Sequence, residues 1–128
     1  MVPRRFLALL CVLALAAGLA ACGGGDGGGA STKPRRPFPG APVLAVSADN
    51  LSFDPDELRV PAGKFNVALT SVDIFHDFVI EDVDGIVEAG SGDTVTQGFE
   101  IRKPGKYTFY CSVPGHRQGG MEGTLTVT

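Results

Sequence analysis

The stretch from Tyr107 to Thr128 constrains the fold more than any other part of the sequence. An alternating run, Tyr107-Thr-Phe109-Tyr-Cys111, ends on a cysteine. Ser112-Val113-Pro114-Gly115 follows, then His116. A short glycine-rich loop leads to Met121, and alternation resumes through Gly123, Leu125 and Val127. A thiol, an imidazole and a thioether thus share one loop between two strands. Among first-row metals, that mix of soft and intermediate donors suits copper.

The N-terminal part reads differently. Met1-Val-Pro-Arg4-Arg5 is a positive start, and Phe6 to Ala21 is an apolar run too short and wrongly flanked for a membrane span. Residues 1–21 read as a secretory signal. The run ends Leu19-Ala20-Ala21-Cys22, which resembles the lipobox of bacterial lipoproteins. That resemblance implies cleavage before Cys22 and acylation of Cys22; the alternative is an ordinary signal peptide with an incidental cysteine. Cys11, preceded by Leu10, fits the pattern less well. Several acyl chains hold a protein stably where one does not. The expected location is therefore a lipid anchor at the extracytoplasmic face of a bacterial cell membrane.

Residues 22–42 read as a tether. Gly23 to Gly29 is glycine apart from Asp26, and Ala30 to Pro42 carries four prolines and three basic residues, Lys33, Arg35 and Arg36. Such compositions give flexible and extended spacers respectively. Contact of the basic residues with anionic lipid is the rival to a solvated spacer.

Val43 to Thr128 leaves 86 residues, enough for one compact domain with one modest core. Six basic residues stand against thirteen acidic ones there, a formal charge of −7. That balance argues against nucleic-acid binding. It suits either steering of a basic protein partner or plain solubility. With Cys11 removed and Cys22 acylated, Cys111 is alone in an oxidising setting and has no intrachain partner. It needs protection, a metal or a reaction.

No long stretch keeps a helical period. Short alternating runs recur, broken by Pro, Gly, Asp and Asn: Val43–Ala48, Leu51–Phe53, Leu58–Val60, Phe65–Leu69, Phe75–Ile80 and Val95–Ile101 precede the two strands around Cys111. Residues 85–94 are glycine-rich, and strand cannot be told from loop there. About seven or eight short strands predict an all-β sandwich or barrel. Side chains alternate across a strand. Cys111 shares a face with Tyr107 and Phe109, Met121 with Leu125 and Val127, and His76 with Ile74, Phe78 and Ile80. All three are expected to face the core at strand ends.

Blue-copper sites combine two histidines and a cysteine with a weak axial thioether. Residues 43–128 contain two histidines, His76 and His116, one cysteine, Cys111, and one methionine, Met121. No other residue of these types competes for a role. Cys111-Ser-Val-Pro-Gly-His116-x₄-Met121 resembles the copper loop of the cupredoxins, the type 1 blue copper proteins. Its spacing is closer to the azurin, auracyanin and rusticyanin branches than to plastocyanin. Phe53-Asp-Pro55-x₂-Leu58-x-Val60-x-Ala62-Gly63 and His76-Asp77-Phe78 resemble the same family, so the likeness covers essentially all of 43–128.

The resemblance implies a Greek-key β-sandwich holding one copper ion, Cu(I) or Cu(II), through His76, Cys111, His116 and Met121. It also implies that His116 is the solvent-edge ligand and the electron's exit, beside a small apolar patch of Val113, Pro114 and nearby glycines. One position departs from the family. Plastocyanins and azurins carry Asn after the first histidine, and here it is Asp77, a carboxylate placed to accept from the loop around Ser112.

The expected function is a one-electron shuttle, monomeric, tethered to the outer face of the cytoplasmic membrane. A membrane oxidoreductase or cytochrome is the expected partner, docking near His116. The rival reading is a copper-handling protein that delivers or buffers copper. An enzyme is not expected, because a reductase or oxidase needs further histidines or a second copper site. Zinc also accepts Cys and His. The acidic run Glu81-Asp82-Val83-Asp84 reads as a solvated turn, with hard-cation binding as its rival.

Overall fold

A computed structural model describes residues 30–128. The signal segment 1–21, the lipidation site Cys22 and the glycine run through Gly29 lie outside the described residues. Nine strands occur among the described residues: β1 (Val43–Asp49), β2 (Ser52–Asp54), β3 (Glu57–Val60), β4 (Gly63–Ser71), β5 (His76–Ile80), β6 (Val87–Ala89), β7 (Thr94–Ile101), β8 (Gly105–Tyr110) and β9 (Glu122–Val127). The strand beyond the expected seven or eight is β6. It lies in the glycine-rich stretch, and its pairing with β5 across His76↔Ala89, Asp77↔Glu88 and Phe78↔Val87 fixes it. Such a strand is set by its neighbour rather than by its own pattern.

The strands form two sheets, β2-β1-β4-β7 and β3-β9-β8-β5-β6. The chain crosses repeatedly from one sheet to the other, giving an all-β sandwich. β1 lies parallel to β4, and β3 parallel to β9; the other pairs are antiparallel. Period-2 alternation builds the core. Phe65, Val67 and Leu69 of β4 are fully buried, as are Phe99 of β7, Phe109 of β8 and Leu125 of β9. Four phenylalanines meet at the centre. Phe78 packs against Phe53, Phe99 and Phe109 at ring separations of 5.7, 5.9 and 4.7 Å.

β5 breaks the alternation, since all five of its residues are buried. It is an interior strand between β8 and β6, and Asp77 on its outward face is bonded to Ser112 in the loop after β8. Ile74 was expected on the core face with His76; it is instead 49% exposed, because the strand begins only at His76.

The segment before β1 is held against the sandwich. Arg35 O accepts from Gly98 N–H on the edge strand β7 at 2.9 Å, and Ser31 O accepts from Gly85 N–H at 2.8 Å. Asn66, on the outer face of β4, brackets the Phe38 backbone: its Oδ1 accepts from Phe38 N–H and its Nδ2 donates to Phe38 O. Alternation along β4 turns Asn66 away from the core, yet this bracket buries it to 4% exposure. Gly98 is required here, since a Cβ would lie 2.6 Å from Arg36 O and 2.8 Å from the Phe38 ring. From Ser31 to Pro42 the chain is thus a strap sealing the β7 edge, a place where open backbone invites association.

Candidate metal centre

Two loops meet at one end of the sandwich. β4 leads through Val72–Phe75 into His76, the first residue of β5. β8 leads into Cys111, and the loop from Ser112 to Gly120 leads back through Met121 to β9. One nitrogen from each of His76 and His116 and the Cys111 sulfur lie within 4.8 Å of one another. Cys111 Sγ is 3.5 Å from His116 Nδ1, and the two imidazole centroids are 5.1 Å apart. His76, Cys111 and Met121 are fully buried, whereas His116 is half-buried.

The loop's backbone makes this convergence possible. His116 N–H donates to Val113 O at 3.0 Å, with Gly115 at φ 88°. That is a type II turn, Pro114 fixing one angle and Gly115 supplying the positive one. A helical turn follows, with Gly119 N–H donating to Gly115 O. Met121 N–H then donates to His116 O at 3.1 Å, and Cys111 N–H to Met121 O at 3.1 Å. Backbone bonds therefore tie the cysteine, histidine and methionine to each other. Gly119 lets Leu51 cover the loop, since a Cβ there would sit 2.5 Å from Leu51 Cδ1.

The family model of the cupredoxin-like domain matches residues 8–127 of this chain. The chain is a cupredoxin. It is similar to auracyanin-B of Chloroflexus aurantiacus, 46% identical over 43 residues, which make up 34% of this chain and 17% of that protein. It is also similar to cytochrome c oxidase subunit 2 of Thermus thermophilus, 31% identical over 90 residues, 66% of this chain and 64% of that protein. It thus spans less than two thirds of the length of either relative. Among solved structures it resembles auracyanin B, with a TM-score of 0.65 and 21% identity over 79% of this chain and 99% of that one. It resembles the blue copper protein auracyanin A of Chloroflexus aurantiacus at a TM-score of 0.59 and 22% identity, over 70% and 100% of the two chains.

The donor set of this cupredoxin fits one copper ion. Among the described residues, the buried side-chain nitrogen or oxygen without a hydrogen-bond partner is His76 Nδ1. Its other nitrogen, Nε2, is bonded to Asp73 Oδ1 at 2.8 Å, so Nδ1 is the atom left for a metal. An orphaned buried nitrogen beside a buried thiol is costly unless something occupies the space between them. His76 Nδ1, Cys111 Sγ and His116 would hold the ion, with the Met121 thioether as the weak fourth donor.

Burial pushes the Cys111 thiol up from its usual range, against N–H groups of Asp77 and Val113 that favour the thiolate. Metal uptake at this sulfur must therefore displace a proton. Asp77 is 4% exposed. Its backbone N–H points at Cys111 Sγ, 3.5 Å away, and its carboxylate accepts from both the N–H and the hydroxyl of Ser112. The structure thus brings Asp77 and Ser112 together next to the thiol. Replacing Asp77 by Asn keeps an acceptor for Ser112 N–H but removes a negative charge beside the site, so the reduction potential is expected to rise. A tenfold change in the ratio of the two copper affinities is about 59 mV for one electron, and a shift of that order is expected by voltammetry. An unchanged or lowered potential would sink the idea.

Two braces escaped the sequence reading. Arg117 lays its guanidinium 4.1 Å from the Tyr110 ring centroid and reaches Glu122 at 3.1 Å and Glu81 at 3.5 Å, pinning the loop to β8 and β9. Asp73 holds the back of His76. The bond from His76 keeps the Asp73 carboxyl down at about 2. The signal for Asp73 was a carboxylate three residues before a ligand histidine in a short interstrand loop.

Proposed function

We propose that this cupredoxin is a one-electron carrier, anchored through Cys22 to the outer face of the cytoplasmic membrane. The observation that carries the reading is the convergence of His76, Cys111 and His116 within 4.8 Å, with His76 Nδ1 buried and unpartnered. Bound copper would supply the one-electron couple. The protein supplies rigidity: the donors are fixed by strand ends, backbone bonds and the Asp77–Ser112 pair, so little rearranges between oxidation states.

Half-buried His116 is the edge through which a partner would reach the site. Exposed apolar residues lie at the same end: Pro114 on the loop, Leu51 against Gly119, and Val72, Ile74 and Phe75 leading into His76. A surface of this kind supports docking of a redox protein such as a membrane oxidoreductase or cytochrome. The set of four donors leaves no histidine for a second centre, which supports a carrier rather than an enzyme.

The strap supports the anchoring geometry. It ends at Gly85 and Asp84, in the turn after β5, while His76 begins β5. Four residue steps along that strand are about 13 Å. An anchor upstream of Ser31 would thus join the sandwich at the end away from the copper site.

The visible spectrum of the oxidised, copper-loaded protein tests the reading. Intense orange-red absorption with reversible one-electron reduction is the expected result. A colourless protein that takes up Cu(I) alone would overturn it in favour of copper delivery or buffering.

A further inference from the structure

We propose that Asp73 is a positioning residue for the copper site: it holds His76 in the tautomer that presents Nδ1 to the metal, and its charge favours Cu(II) over Cu(I). The proposal rests on the copper-site reading and adds a residue that the donor set does not contain.

Asp73 Oδ1 accepts from His76 Nε2 at 2.8 Å, and Asp73 Oδ2 accepts from Asn50 N–H at 2.9 Å. One carboxylate is thereby fixed from two sides, by the turn between β1 and β2 and by the ligand ring. With the proton on Nε2, the Nδ1 lone pair faces Cys111 and His116. The opposite tautomer would set the Nε2 lone pair against a carboxylate and bury an Nδ1–H with no acceptor. Both are unfavourable, because a buried polar group without its partner bears its full desolvation penalty. The Nδ1 position is already without a partner in the protein. A carboxylate bonded to the far nitrogen of a ligand imidazole also makes that imidazole a stronger donor, which the more highly charged ion rewards more.

The loop does not depend on Asp73 for its shape. Ser71 Oγ donates to Ile74 O, Ser71 N–H donates to Asp93 O at 2.9 Å, and Val72 N–H donates to Ala48 O at 2.9 Å. Variants at Asp73 are therefore expected to fold. A purely structural Asp73 would only secure the Asn50 turn, and two readouts separate the roles.

The first readout is nitrogen-15 NMR of the His76 ring in the metal-free protein. Wild type is expected to show the proton on Nε2 alone, and Asp73→Ala a measurable share on Nδ1. The second is the ratio of Cu(II) to Cu(I) affinity in Asp73→Asn, which keeps an acceptor for Nε2–H but loses the charge. That ratio is expected to fall about tenfold, an upward shift in potential of about 59 mV for one electron. An unaltered tautomer in Asp73→Ala, together with a ratio within about twofold of wild type in Asp73→Asn, overturns the proposal, whatever either variant does to thermal stability. A wild-type protein without the orange-red band overturns the copper reading instead; the tautomer measurement needs no metal, so the two failures are distinct.

Discussion

Replacing Cys111 by Ala is expected to abolish the intense visible absorption and to lower copper affinity by more than about 100-fold. Removing an outer partner of a metal ligand already costs about 10–100-fold. Cys111 contributes more, because its thiolate is the one anionic donor in the set and the softest after deprotonation. The protein has invested in that thiolate: Asp77 N–H points at the sulfur from 3.5 Å, opposing a burial that favours the neutral thiol. The fold does not depend on the sulfur. Cys111 N–H keeps its bond to Met121 O, and an alanine fits where a small buried side chain stood. The variant should therefore melt cooperatively while failing to colour. Met121 supplies the contrast. Leucine replaces it at nearly equal volume, so Met121→Leu should keep copper and colour but move the potential, since only the weak axial donor is lost. Optical titration with copper and voltammetry read both variants. A persistent band in Cys111→Ala would remove the thiolate from the site.

The sequence carried the ligands in full because their chemistry is rare. Two histidines, one cysteine and one methionine in 86 residues left no choice to make, and strand parity placed Cys111 and Met121 on the inward face. The type II turn at Pro114-Gly115 was equally legible, since only a few residue pairs fit its angles. Parity failed where a strand is buried on both sides or starts late. β5 has no exposed face, and Ile74 lies outside it. Composition misled in another way between Ser31 and Pro42. Proline and arginine read as a spacer, yet the backbone there has partners on Gly98, Gly85 and Asn66. Those bonds depend on a glycine and an asparagine far along the chain, and no local pattern announces them. The Asp73 carboxylate was missed for a similar reason. Its two oxygens serve Asn50 N–H and the far side of His76, and only the folded loop brings those donors to it.

Phe78→Ala is expected to destabilise the protein by about 3–5 kcal/mol, the range for deleting a buried aromatic ring. Phe78 is fully buried and lies two residues from His76 on β5. Its ring meets those of Phe53, Phe99 and Phe109, which belong to β2, β7 and β8, so it joins both sheets of the sandwich. Each such aromatic pair adds about 0.5–1.5 kcal/mol beyond area burial, and the rigid sheets cannot close over the space left behind. Domains of this size have about 5–15 kcal/mol in total. The melting temperature falls by about 4–8 °C per kcal/mol, so a loss of more than about 12 °C is expected. Copper changes the outcome without changing the cost. A ligand that binds only the folded state adds about 4 kcal/mol at a thousand times its dissociation constant. The metal-free variant should therefore melt near or below physiological temperature, while the copper-loaded variant stays folded and keeps its colour, because Phe78 supplies none of the donors. Calorimetry of both forms checks this. A drop below about 5 °C in the metal-free form would mean that the phenylalanine cluster does not couple the two sheets, and that the rigidity of the copper end comes from its own loop bonds.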